Sequence, residues 1–225
     1  MIPYRPGLPE RPPRMRSLPL NDKGYPVPWF VDWVDGVPEF RAMDPVKWER
    51  AVHHKLCWLC GERLGHFFTF VAGPMCGINR TSSEPPSHHD CAVYAARACP
   101  FLTLPKAVRR QAGLPEGVQL QPGQKQTENN IVGGISLTRN PGVAMLWTTT
   151  RYTLHKVDNG YLLEMGPPTE VEWFCEGRRA TRAEVDESIR TGMPFLQKIA
   201  DDEGGGAPAQ LASYVQRMQA VLPAE

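Results

Sequence analysis

The run Cys57-Trp58-Leu59-Cys60-Gly61 carries the clearest chemistry in the chain. Two cysteines two residues apart can turn both thiolates toward one metal ion. A glycine directly after the second relieves crowding where the backbone folds back on the sulfurs. A closed tetrahedral site needs two more ligands, and Cys76, His88, His89, Cys91 and Cys99 follow in the sequence. The pair His88 and Cys91 suits the task best. Ser87 reads as a helix N-cap, Asp90 sits three residues on as in a capping box, and Pro85-Pro86 blocks an earlier start. The run from His88 to Cys99 is therefore predicted helical, with positions 88 and 91 on one face of its first turn. A helix N-terminus also favours bound thiolate. The predicted ligands are Cys57, Cys60, His88 and Cys91 holding a structural Zn2+, with Cys76 and His89 as alternates. An iron–sulfur cluster on Cys57, Cys60, Cys76 and Cys91 is the competing chemistry. Cys99 and Cys175 read as buried small apolar residues.

Ligands in surplus point to a closed structural metal, because a catalytic zinc keeps one position open for water. Zinc deaminases use His-x-Glu, and no such pair occurs here. No Gly-x-Ser-x-Gly, P-loop, dinucleotide fingerprint or His-Glu-x-x-His occurs either. Between knuckle and helix, residues 63–71 and 72–78 are predicted to form a hairpin. Knuckle, hairpin, then a helix with ligands in its first turn resembles the layout of a treble-clef zinc finger over residues 56–100. HNH-type treble-clef nucleases place a histidine general base at the hairpin end. That place reads GPMCGINR here, so an HNH-like metal-dependent nuclease is a second alternative only. The stretch from Gly73 to Glu84 offers Asn79 and Arg80 to a phosphate or carboxylate. Lys106, Arg109 and Arg110, on a predicted basic helix over 105–112, could contact nucleic-acid phosphates.

The elements that position these groups come from the whole of the 225 residues. With 25 basic and 24 acidic side chains, the net charge of +1 argues against coating nucleic acid by bulk charge. Charge is uneven: residues 1–113 carry a net +5 and residues 114–225 a net −4. The first half could therefore face an anionic partner. No run of about 18 apolar residues occurs, and the N-terminus lacks an apolar secretory core, so a cytoplasmic protein is expected. The 23 prolines and 20 glycines predict short elements joined by fixed turns.

Four stretches follow. Residues 1–28 are a proline- and arginine-rich arm, 29–113 a zinc-binding domain, 114–130 a linker or long loop, and 131–225 a β-hairpin plus helices. Asp35-Gly36 predicts a tight hairpin, and Asp44-Pro45 a capped helix to about Lys55. Residues 143–157 are predicted as one strand, turning at 158–160 into a second over 161–165. Residues 171–177 predict another short strand. Thr181 and Glu184 form a capping box for a helix ending near Thr191-Gly192. A final amphipathic helix spans 209–222. The fold class is α+β: a small zinc-stabilised treble-clef-like module plus an antiparallel β-rich part closed by helices.

Residues 74–102, with residues 177–185, resemble small proteins of bacteriophage and prophage genomes of high-GC bacteria. The resemblance implies an accessory role in the host cytoplasm and supplies no activity or functional residue. Three functions follow. The first is a zinc-binding accessory factor that binds nucleic acid or a nucleoprotein complex through its basic half. The second is a protein-interaction factor in host takeover or counter-defence, with purely structural zinc. The third is the nuclease.

Overall fold

Asp44 ends an extended segment, and its carboxylate accepts hydrogen bonds from Val46 N at 2.9 Å and Lys47 N at 3.1 Å. Pro45 follows at the first helical position, where its missing N–H costs nothing. The result is α1, Pro45–His54, stopped by Lys55 in the left-handed conformation. Before it, Asp35 and Gly36 both have positive φ and turn β1 (Val31–Val34) into β2 (Val37–Met43), as the sequence predicts. The computed structural model describes residues 2–104, 140–157 and 160–224. The predicted basic helix over 105–112, the linker over 114–130 and the turn residues 158–159 lie outside the described residues.

The remaining elements are β3 (Phe68–Ala72), α2 (Pro74–Asn79), β4 (Thr81–Ser82), α3 (His89–Ala98) and α4 (Pro100–Thr103). After residue 140 come β5 (Ala144–Thr149), β6 (Tyr152–Val157), β7 (Gly160–Met165), β8 (Pro168–Cys175), β9 (Arg178–Arg179), α5 (Arg182–Glu203) and α6 (Ala207–Met218). Helices and antiparallel sheets make an α+β fold. One sheet has the order β3-β5-β8-β9 and a second the order β4-β7-β6, while among the described residues β1 and β2 pair only with each other.

Three predictions are corrected here. No hairpin forms over 63–78, because β3 pairs along its whole length with β5. Residues 74–79 instead form α2, started by Pro74. The strand predicted over 143–157 is two strands. β5 is buried at every position and sits inside the first sheet, whereas β6 crosses to the second. The helix starting at the Thr181–Glu184 capping box does not stop at Gly192 but runs to Glu203 through Pro194. A mid-helix proline removes one backbone hydrogen bond. Packing of α5 against α2 and α6 outweighs that loss, with Val185, Gly192, Leu196 and Ala200 buried.

β3, from the stretch over 29–113, pairs with β5, from the stretch over 131–225. Trp147, Phe70, Met145, Leu163 and Met165 fill one core that also takes in Met15 and Leu18 of the arm. The arm lies along the body. It closes on itself where Arg5 N donates to Gly24 O at 3.1 Å, and Val27 is buried.

The start of α5 carries a pH dependence. Arg178 hydrogen-bonds Glu184 and, against the opposing effect of burial, holds its carboxyl down to about 2 from an ordinary 4.5, helped by the Thr181 backbone. A depressed carboxyl contributes its stability above the unfolded pKa and loses it as pH falls through the folded one. The stability difference between wild type and Glu184→Gln is therefore expected to shrink from pH 4.5 down to about 2. The capping interaction is worth about 1 kcal/mol at neutral pH, and thermal unfolding of both proteins across that range measures it.

Candidate metal centre

The Cys57–Gly61 knuckle is built by its own backbone. Gly61 N donates to Cys57 O at 2.8 Å, Cys57 N to Glu62 O at 2.7 Å, and Leu64 N to Lys55 O at 2.8 Å. This tight turn needs Gly61 at φ +79, and a Cβ there would lie 2.7 Å from the Trp29 ring. Gly61→Ala is expected to cost about 2 kcal/mol, from left-handed backbone plus overpacking. Thermal unfolding of the metal-loaded protein gives that cost, with metal content unchanged.

The second half of the site comes from the start of α3. Thr69 and Ser87 exchange backbone hydrogen bonds of 3.0 and 2.8 Å, which ties the segment before α3 to β3. Trp58 N donates to Pro86 O at 3.0 Å and brings the knuckle alongside. The helix begins one residue later than predicted. Ser87 is held in that bridge, and His88 takes the N-cap position without a side-chain cap. Cys91 then sits in the first turn of α3, where the exposed backbone amides favour a thiolate.

Cys57, Cys60, His88 and Cys91 are thereby brought together, their ligand atoms all within 4.8 Å of one another. On a tetrahedral zinc with bonds of about 2.3 Å to sulfur, neighbouring sulfurs stand roughly 3.8 Å apart. The cluster therefore needs only a small contraction to close on a metal ion such as zinc. Cys60 Sγ and His88 Nδ1 are already 3.5 Å apart. His88 Nε2 faces Arg63 O at 3.1 Å. Donation from Nε2 to that carbonyl leaves Nδ1 free to ligate and fixes the ring orientation. Cys57 Sγ accepts from the backbone N–H of Cys60 and of His88, each at 3.4 Å.

The thiols and imidazole influence one another strongly. Burial of Cys57 opposes ionisation, but hydrogen bonds from Cys60, Cys91 and His88 outweigh it, and its pKa is lowered. The same hydrogen bonds, to Cys57 first and then Cys60, raise Cys91. Hydrogen bonds to Cys57 and Cys60 push His88 up to about 10, against the opposing effect of burial. Such a group holds protons that a divalent ion displaces on binding. Three thiolates and a neutral imidazole around a divalent ion leave a net charge of −1. Arg14 of the arm stands nearby, donating to both oxygens of Asp90 at 2.7 and 2.9 Å and lying 3.8 Å from Glu62. The fields of Cys91 and Cys60 act on its guanidinium as well. The sequence offers no signal for the Arg14–Asp90 pair, which joins positions 76 apart.

The alternates lie elsewhere. His89 turns away from the cluster, and its Nε2 is 2.5 Å from Glu172 Oε2 on β8. Glu172 also pairs with Arg179, so His89 ties α3 to the first sheet. Cys76 lies on α2, which packs against α5 and α6, and burial raises its thiol pKa. Cys76 is not among the residues whose ligand atoms cluster with Cys57, Cys60 and Cys91. Cys175 is buried on β8, and burial lifts its thiol to about 11. Asn79 and Arg80 end α2, on a different part of the molecule from the cysteine cluster. Lys106, Arg109 and Arg110 lie outside the described residues.

No protein-family model, no curated protein and no solved structure matches the chain. Among the described residues, no helix is long and apolar enough to cross a membrane.

Proposed function

We propose that this is a zinc-stabilised accessory protein that acts by binding a protein partner, with the zinc purely structural. The carrying observation is the full set of four ligands, three of them buried, which offers a zinc no open position for a substrate or a reactive water. The ligands also belong to the main core, with Cys57, Cys60 and Cys91 packed among Trp58, Leu59 and Leu64. A metal in that place substitutes for apolar core in a fold of short elements.

A binding surface is available beside it. The β1–β2 ribbon bonds to no other strand among the described residues. It exposes Trp33 and Val37 at 42% and 64%, and Val46 at the start of α1 is 61% exposed. Exposed aromatic and aliphatic groups on an isolated ribbon suit a protein contact, and Asp35 at its tip suits a basic partner. The nucleic-acid reading has less support. Arg14 and Arg16 of the arm are ion-paired to Asp90 and Glu10, and Arg5 and Arg11 lie over the Tyr25 and Tyr4 rings. A phage or prophage accessory role in a host cytoplasm accords with the resemblance carried by residues 74–102.

The test has two parts. Elemental mass spectrometry of the purified chain is expected to return one zinc per chain, and iron or no metal overturns the zinc reading. Crosslinking in host-cell extract is expected to capture a protein that Val37→Asp loses while zinc content stays at one. Capture unchanged by Val37→Asp, or of nucleic acid alone, overturns the protein-binding reading.

A further inference from the structure

A cavity of about 430 Å³ opens where the end of α2 and the residues that follow β5 meet the second sheet. Arg80 and Arg151 both line it, with Thr153, Glu164 and Gly166. Each arginine is held in place. Arg80 is the left-handed cap of α2, at φ 53, and its backbone O accepts from Met165 N at 2.7 Å. Its guanidinium lies over the Trp147 ring, 5.7 Å from the centroid. Trp147 is itself fixed, since its Nε1 donates to Gly166 O at 2.9 Å. Arg151 is anchored through its backbone. Its O accepts from Gly166 N at 3.1 Å and from Thr149 Oγ1 at 3.2 Å. A Cβ on Gly166 would come within 2.7 Å of Arg151 Cγ, so the glycine makes room for the arginine stem.

Two arginines thus line one cavity, and neither forms an ion pair among the described residues. The carboxylate that also lines the cavity, Glu164, is engaged by His155, whose Nε2 is 2.7 Å from Glu164 Oε2. An anion that reaches both arginines accepts several charge-assisted hydrogen bonds. Arginine presents its donors as a planar fork that fits the oxygens of a tetrahedral oxyanion. Thr153, on β6, lines the same cavity and carries a hydroxyl. The cavity exceeds the volume of one such oxyanion, which leaves room for an attached group.

We propose that Arg80 and Arg151, with Thr153, form a binding site for a phosphate group. Asn79, the neighbour of Arg80, does not line it. The site stands whether or not the β1–β2 ribbon binds a protein. Its phosphate can be free or esterified in a small molecule, or can belong to a nucleic-acid backbone, and the chemistry at the arginines is the same.

The test uses the metal-loaded full chain in isothermal titration at fixed ionic strength. The probes are inorganic phosphate, glycerol phosphate and a single-stranded oligothymidylate without terminal phosphate. Saturable heat with inorganic phosphate is expected, absent with chloride. Arg151→Ala is expected to weaken it at least tenfold, and Arg151→Lys less, because charge is kept and the fork is lost. Arg151 is exposed, so its variants should fold, and circular dichroism with metal content checks that. Arg80→Lys gives a second, independent loss. A tenfold loss with oligothymidylate as well supports the site and assigns a backbone phosphate. A loss confined to the two small probes supports it and assigns a small phosphate compound. Heat that follows ionic strength alone, or affinity unchanged in both Arg151→Ala and Arg80→Lys, overturns the proposal.

Discussion

Cys57→Ser is expected to lose the metal and to unfold the segment that carries it. Cys57 is fully buried, and its sulfur accepts the amides of Cys60 and His88. A serine oxygen is a poor ligand for a thiolate site, so three donors remain and the cluster no longer closes. Structural zinc contributes on the order of 10 kcal/mol of apparent binding energy, as large as the whole stability of an ordinary domain. The variant should therefore show metal content near zero by elemental mass spectrometry, with loss of near-ultraviolet circular dichroism. Acidification and strong chelators should act the same way on wild type, because the thiolates must stay deprotonated to hold the ion. Cys76→Ser is the control. Its sulfur belongs to the α2 packing, so it should keep one metal per chain and lose only about 1–2 kcal/mol. A Cys57→Ser protein that retains full metal would sink the assignment of the four ligands.

Trp147→Ala is expected to be the most damaging single change away from the metal. Trp147 is 2% exposed in the middle of β5, where its register partners are Phe70 on β3 and Val171 on β8. Removing a buried indole costs about 3–5 kcal/mol in lost transfer energy and cavity. It also leaves the Gly166 carbonyl without its donor and takes away the ring beneath Arg80. A fall in melting temperature of roughly 10 °C is the expected size for a chain of this length. Trp147→Phe keeps most of the apolar volume and should recover more than half of that loss. Metal content should stay at one per chain in both variants, which separates this damage from that at the knuckle.

The cluster of Cys57, Cys60, His88 and Cys91 was legible in the sequence because its signals are local. A knuckle is set by five consecutive residues, and the start of α3 by the Pro85-Pro86 block and the turn that follows. The same is true of the Asp35-Gly36 turn, the Asp44 cap and the Thr181–Glu184 capping box. What escaped depends on distant partners. Residues 68–72 have the pattern of a hairpin strand, and nothing nearby shows that their partner lies 79 positions on, as between Thr69 and Thr148. The break after Thr149 is hidden for the same reason, since the change of sheet is imposed by β3 and β8. Thr191-Gly192 reads as a stop, and the packing of α5 on α2 and α6 carries the helix through it and through Pro194. Proline and arginine mark residues 1–28 as an arm without showing where it lies, and Met15, Leu18 and Val27 anchor it in the core.

The long-range pairing of β3 with β5 also orders events during synthesis. All four ligands, residues 57 to 91, leave the ribosome well before residues 144–149 do. The metal site can therefore close while the edge of β3 still has no strand beside it. Until β5 arrives, Phe68 and Phe70 stand on an uncovered edge, a template for pairing with another nascent chain. A metal ion bound at that stage would act as a kinetic scaffold, holding β3 through the Thr69–Ser87 bridge while it waits for its partner. Metal-starved cells should accordingly accumulate this chain in aggregates rather than as soluble monomer that has merely lost its ion.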